Sequence, residues 1–92
     1  MFISADAIAA FVLAAELGSF SAAARRLGKR QSTISETIAN LEIDLGVTLF
    51  ERGGRQPQLT AAGQRLLPAA RQTLAAQDSL QLEAQLLNAA QV

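Results

Sequence analysis

The sequence predicts a mainly α fold, a winged helix-turn-helix (a three-helix bundle with a two-stranded β wing) followed by a long C-terminal dimerisation helix. Three observations predict it. Residues 21–45 read SAAARRLGKRQSTISETIANLEIDL, a short Ala-rich helical stretch, a Gly break and a longer stretch whose Ile34, Ile38, Leu41 and Leu45 share one face of an α-helix. Residues 48–60 then change period, with two short strand-like runs joined through Gly53-Gly54-Arg55. From Ala61 to about Ala90 the chain is rich in Ala, Leu and Gln, as a long helix requires.

Taken in order, Ser4 is placed to cap a first helix, with Asp6 in its first turn facing the positive end of the helix dipole. Ile8, Phe11, Val12 and Ala15 follow at helical spacing and Gly18 stops the run, so this helix is read as packing material beneath the helix-turn-helix. Phe20 is assigned to the core rather than to base stacking, and Ser21 to the cap of the second helix, a position also suited to binding a phosphate. Ala24 is small where two helices must cross, Leu27 and Ile34 are apolar where they meet, and Gly28 turns the chain between them. The polar face of the third helix carries Gln31, Ser32, Ser35 and Glu36, short side chains suited to base edges in a major groove.

Gly46 ends the third helix, and Thr48–Arg52 and Gln56–Thr60 are read as the wing strands. Leu49, Phe50 and Leu59 would anchor the wing, while Arg52 and Arg55 near its tip reach phosphates or a minor groove, unless they are simply solvated. Pro57 marks an edge strand. Thr60 caps the last helix, in which Pro68 removes one backbone hydrogen bond. Leu67, Leu74, Leu80 and Leu87 are assigned to dimerisation with a second copy of the chain; packing onto the same chain is the alternative. The pairs 67/74 and 80/87 keep a spacing of seven, but the step from 74 to 80 breaks the heptad, so no sustained coiled coil is predicted.

Composition narrows the function classes. The 92 residues suffice for one small core, and the absence of Cys and His removes disulfides, the usual zinc sites and His-based catalysis. No carboxylate pair or Ser/Lys arrangement stands out as a catalytic site, and the chain is read as no enzyme. No apolar run reaches membrane-spanning length and no signal peptide is recognisable, so the expected location is the cytoplasm. Net charge is zero, yet all eight basic residues lie between Arg25 and Arg71, against four acids in that stretch, a local excess of four positive charges. Arg25, Arg26, Lys29 and Arg30 fall within six residues of one another, either a phosphate-facing patch or a solvated helix surface.

These residues resemble the N-terminal DNA-binding region of LysR-type transcriptional regulators. The resemblance is carried by GSFSAAARRL at Gly18 to Leu27, Gln31-Ser32-Thr33-Ile34-Ser35 with Ile38, Leu41-Glu42, Leu45-Gly46, Leu49-Phe50, Arg52, Arg55, and Leu59-Thr60 with Ala62-Gly63. It implies a winged helix-turn-helix at 1–60 and a linker and dimerisation helix at 61–92, binding double-stranded DNA sequence-specifically as a homodimer. By position, Gln31, Ser32, Thr33, Ser35 and Glu36 would face bases or adjacent phosphates, Ser21, Arg26, Lys29 and Arg30 the backbone, and Arg52 and Arg55 the wing contacts. No cofactor is implied for these residues. A small-molecule effector would bind a C-terminal domain that this sequence lacks, so the chain is expected to be the DNA-binding part of a longer protein.

Three positions depart from the family pattern. Arg30 replaces the usual Ser at the start of the recognition helix, Lys29 a usually apolar residue, and Glu36 a frequent Arg or Gln. Glu36 either accepts a hydrogen bond from cytosine or pairs with Arg30 or Lys29. A winged helix serving only protein assembly is the competing reading.

Overall fold

The computed structural model describes residues 3–54 and 56–90. Its elements are α1 (Ala5–Leu17), α2 (Phe20–Leu27), α3 (Gln31–Leu45), β1 (Phe50–Glu51), β2 (Gln58–Leu59) and α4 (Ala61–Ala90). Three of the four helices begin with a hydroxyl cap. Ser4 Oγ accepts from the Ala7 amide at 3.1 Å, Ser19 Oγ from Ala22 at 3.1 Å, and Thr60 Oγ1 from Gly63 at 2.9 Å, each satisfying an amide that the helix leaves unpaired. The cap of α2 is thus Ser19 and not Ser21. Helix formation starts one residue before Ser21 because Phe20, at the first helical position, must turn inward. Ser21 lies within the first turn, where its hydroxyl shares a hydrogen bond of 3.0 Å with that of Ser19.

Between α2 and α3, Gly28 adopts φ 68°, a left-handed conformation that costs any residue with a Cβ. The Lys29 amide then donates to the Ala24 carbonyl at 2.9 Å, closing α2 and redirecting the chain into α3. Ala23 and Ala24 are buried at the crossing, where larger side chains would hold the helices apart.

The core gathers the inner faces of all three helices of the bundle. Phe11, Ile34, Ile38, Leu49 and Phe50 are its largest fully buried side chains, each stabilising the fold by about 2 kcal/mol through burial. Phe50 enters from β1 and stands between Phe11 and Phe20, with ring centroids at 5.9 and 5.3 Å and interplanar angles of 83° and 82°. Such edge-to-face packing adds to the area term and pins the wing to the helices.

The wing is shorter than the sequence pattern predicts. Only Phe50↔Leu59 and Glu51↔Gln58 pair, antiparallel, in place of two five-residue strands. The ladder is short because the amides of Leu49 and Phe50 donate to the Glu42 carboxylate, and Pro57 has no amide to donate. One further bond, from the Thr60 amide to the Leu49 carbonyl at 3.0 Å, ties the wing to the start of α4.

Helix α4 runs unbroken through Pro68, about 45 Å long by helical rise. Its first half packs on the body of its own chain. Leu67 is buried in the common core, and Leu66, Ala70 and Leu74 are partly buried against it. The assignment of Leu67 to a dimer contact is therefore corrected, and Leu74 is at most shared, because the body reaches further along α4 than its length suggested. Beyond that point Leu80, Leu82, Leu86 and Leu87 are all more than half exposed. No helix among the described residues is long and apolar enough to cross a membrane.

Candidate nucleic-acid interface

Burying Ile34, Ile38 and Leu41 turns the opposite side of α3 outward, and that side is polar. Gln31, Ser32, Thr33 and Glu36 are exposed and Ser35 is half-buried, so all five residues assigned to base or phosphate contact lie clear of the core. Arg30 opens the helix with extended backbone and makes no side-chain cap, as its replacement of a hydroxyl residue predicts. Arg25, Arg26, Lys29 and Arg30 are all exposed around the α2–α3 turn. Among the described residues the ion pairs are Arg52–Glu42 and Arg71–Glu16, so no acid offsets this patch and Glu36 is not paired with Arg30 or Lys29.

A cleft of about 540 Å³ opens between the start of α2, the start of α3 and the wing. Ser19, Phe20, Ser21, Gln31, Ser35 and Arg52 line it, with Gly53, Gly54, Gln56 and Pro57 forming the wing side. The structure thus brings Ser21, Gln31, Ser35 and Arg52 to one concave surface. Ser32, Thr33, Glu36, Arg26, Lys29 and Arg30 lie outside the cleft lining. Arg55, assigned to the wing contact, lies outside the described residues.

Arg52 does not project freely from the wing tip. Its guanidinium lies 5.2 Å over the Phe20 ring, and its Nη2 donates to Glu42 Oε1 at 3.4 Å. Phe20 therefore serves both as core packing, against Phe50, and as the seat of Arg52. Glu42 and Ser19 are the two site-building residues that sequence reasoning missed. Ser19 had a local signal, since an inward Phe20 requires the cap to precede it. Glu42 had none beyond its place in the family signature, because its partners lie seven to ten residues away across the wing.

A polar helix face thus stands beside a wing and beside cations that join no ion pair among the described residues. Residues 5–64 match the family model described as bacterial regulatory helix-turn-helix protein, lysR family. The chain is 51% identical over 74 residues to the HTH-type transcriptional regulator AceR of Acinetobacter baumannii, covering 80% of this chain and 25% of that protein. A probable hydrogen peroxide-inducible genes activator of Mycobacterium leprae is 50% identical over 70 residues, 76% of this chain and 22% of its own. The chain thus spans about a quarter of the length of these curated relatives.

Among solved structures, the oxidized form of Corynebacterium glutamicum OxyR superposes with a TM-score of 0.87 at 37% identity, over 91% of this chain and 27% of that one. The CbnR DNA-binding domain, solved in complex with DNA, superposes with a TM-score of 0.83 at 35% identity, over 92% of this chain and 98% of its own. Similarity in sequence to LysR-type regulators and in fold to a DNA-bound domain favours DNA recognition over a winged helix that only assembles proteins. The chain belongs to the LysR family of bacterial regulatory helix-turn-helix proteins and carries that family's DNA-binding domain.

Proposed function

We propose that the domain reads double-stranded DNA as a homodimer and thereby directs transcriptional regulation, in the cytoplasm where bacterial DNA lies. One observation carries the reading: the exposed polar face of α3 is continuous with the cationic α2–α3 turn and with the cleft that holds Arg52. In this reading α3 enters the major groove, where Gln31, Ser32, Thr33, Ser35 and Glu36 meet base edges or neighbouring phosphates. Ser21, Arg26, Lys29 and Arg30 hold the phosphate backbone, and Arg52 and Arg55 serve the wing contact. The exposed Leu80, Leu82, Leu86 and Leu87 on the distal half of α4 supply the apolar surface on which two copies meet. Sensing of a small-molecule effector is assigned to residues other than these.

Selection of bound sequences from a random duplex pool tests the proposal. A two-fold dimer returns an inverted repeat, because operator symmetry mirrors protein symmetry. A lone half-site would overturn the dimer, and no enrichment at low salt would overturn DNA reading itself. Four described cations per protomer, Arg26, Lys29, Arg30 and Arg52, predict that log K falls against log salt with a slope of about −7 for the dimer.

Glu36 is exposed and free of ion pairs among the described residues, which favours its reading of a base over internal neutralisation. Glu36→Ala is expected to relax preference at one base pair per half-site by about 1–3 kcal/mol, as loss of a carboxylate contact to cytosine N4 would. An unchanged sequence preference in the same selection would overturn that role.

A further inference from the structure

Glu42 lies on α3 beyond the residues assigned to the groove, its side chain only 16% exposed. Its Oε2 accepts from the Leu49 amide at 2.6 Å and the Phe50 amide at 3.3 Å, and its Oε1 accepts from Arg52 Nη2 at 3.4 Å. One carboxylate therefore joins the recognition helix to the first wing strand and to the wing arginine. Arg52 is in turn seated over Phe20, the first residue of α2.

We propose that Glu42 is a positioning residue for duplex binding: it holds Arg52 over Phe20, so that the guanidinium faces the phosphate backbone already oriented. The inference rests on the DNA-binding reading above. An unrestrained Arg surrenders much rotamer freedom when it takes up a contact, and a side chain held in place surrenders that freedom during folding instead. The restraint does not consume the group. Arg52 keeps 42% of its side chain exposed, and a guanidinium has five N–H donors, of which Glu42 engages one. The others remain for the cleft lined by Ser21, Gln31 and Ser35.

Simple electrostatics makes the opposite prediction. A carboxylate near a polyanion repels it, so removing the charge by Glu42→Gln should tighten binding. Positioning predicts weaker binding, because the amide is a poorer partner for the guanidinium. A double-mutant cycle on the duplex returned by the selection decides between them, with thermal melting of each variant as the check on folding. Glu42→Gln and Arg52→Ala are each expected to weaken binding about fivefold to tenfold, and the double variant no further than Arg52→Ala alone. Equal or tighter binding by Glu42→Gln, or losses that multiply in the double variant, would overturn the proposal.

Arg52→Lys keeps the inference testable even where Glu42→Gln melts early. It preserves the charge and leaves the Leu49 and Phe50 bonds to Glu42 untouched, but gives up the planar group that lies over Phe20. Weaker binding supports positioning, whereas unchanged affinity refutes it. A wild-type chain that bound no duplex at low salt would remove both this inference and the reading beneath it. Failure of the variants alone would remove only the role of Glu42.

Discussion

Gly63→Ala is expected to lower the melting temperature by about 10 °C, against the ordinary direction of a Gly-to-Ala change inside a helix. Helix propensity alone would favour Ala by about 1 kcal/mol, and Gly63 does not occupy the left-handed region that would forbid it. Space decides the outcome. A Cβ at position 63 would collide with the Leu49 carbonyl oxygen and lie 2.9 Å from Leu59 Cδ2 and 3.2 Å from the Leu49 carbonyl carbon. Leu59 can rotate, but Leu49 is backbone and is held in place.

Its carbonyl accepts from the Thr60 amide, its own amide donates to Glu42, and its side chain is fully buried. Relief of the collision requires α4 to move off the base of the wing. Overpacking of this kind costs about 1–3 kcal/mol and, with backbone involved, is placed at the upper end. The net loss after the propensity gain is about 2 kcal/mol. A melting temperature equal to or above that of the wild type, by calorimetry or circular dichroism, would show that α4 is not seated on the wing as described.

The second large effect concerns the α2–α3 turn. The double variant Arg26→Ala/Arg30→Ala is expected to fold normally, because both side chains are exposed and neither joins an ion pair among the described residues. Arg30 offers no side-chain cap to lose, so its removal leaves the start of α3 as it was. Binding should change sharply. A dimer would lose four phosphate-facing cations, reducing the steepness of the salt dependence by about four and weakening binding by about a thousandfold at 0.1 M salt. Sequence preference should survive, since phosphate contacts position a protein without reading bases. A titration of affinity against salt concentration checks both numbers, and an unaltered slope would remove these arginines from the interface.

The two effects differ in how visible their causes are in the sequence. Ser4, Gly18, Gly28, Gly46 and Thr60 mark helix ends through local chemistry, and the structure places caps or turns at every one. The outward face of α3 was equally readable, because burying Ile34, Ile38 and Leu41 leaves Gln31, Ser32 and Glu36 no other side. Ser19 was legible as well, since a Phe20 that turns inward at the first helical position must follow its cap. The structure departs from the sequence reading where a position depends on distant residues. Leu67 left the dimer stripe because the core extends to it, and the reach of a core depends on how all its helices assemble. The wing strands shrank because Glu42 takes the amides that a longer ladder would need. Glu42 and Gly63 stood in the family signature, but only the close approach of α3 and α4 to the wing gives either a physical role.

The missing cap on α3 has a consequence for how the domain discriminates among sites. A hydroxyl cap is worth about 1 kcal/mol, so the first turn of α3 opens about five times more often than a capped turn would. The turns that begin α1, α2 and α4 are all secured by such bonds. The uncapped turn holds Gln31, Ser32 and Thr33, which the proposed reading sets against the bases, while the middle of the helix is anchored by the buried Ile34, Ile38 and Leu41. If α3 reads DNA as proposed, such a leading turn would be expected to settle differently on different half-sites without disturbing the scaffold. The same looseness lowers fidelity, and a capping Ser at position 30 would trade tolerance for a narrower set of operators.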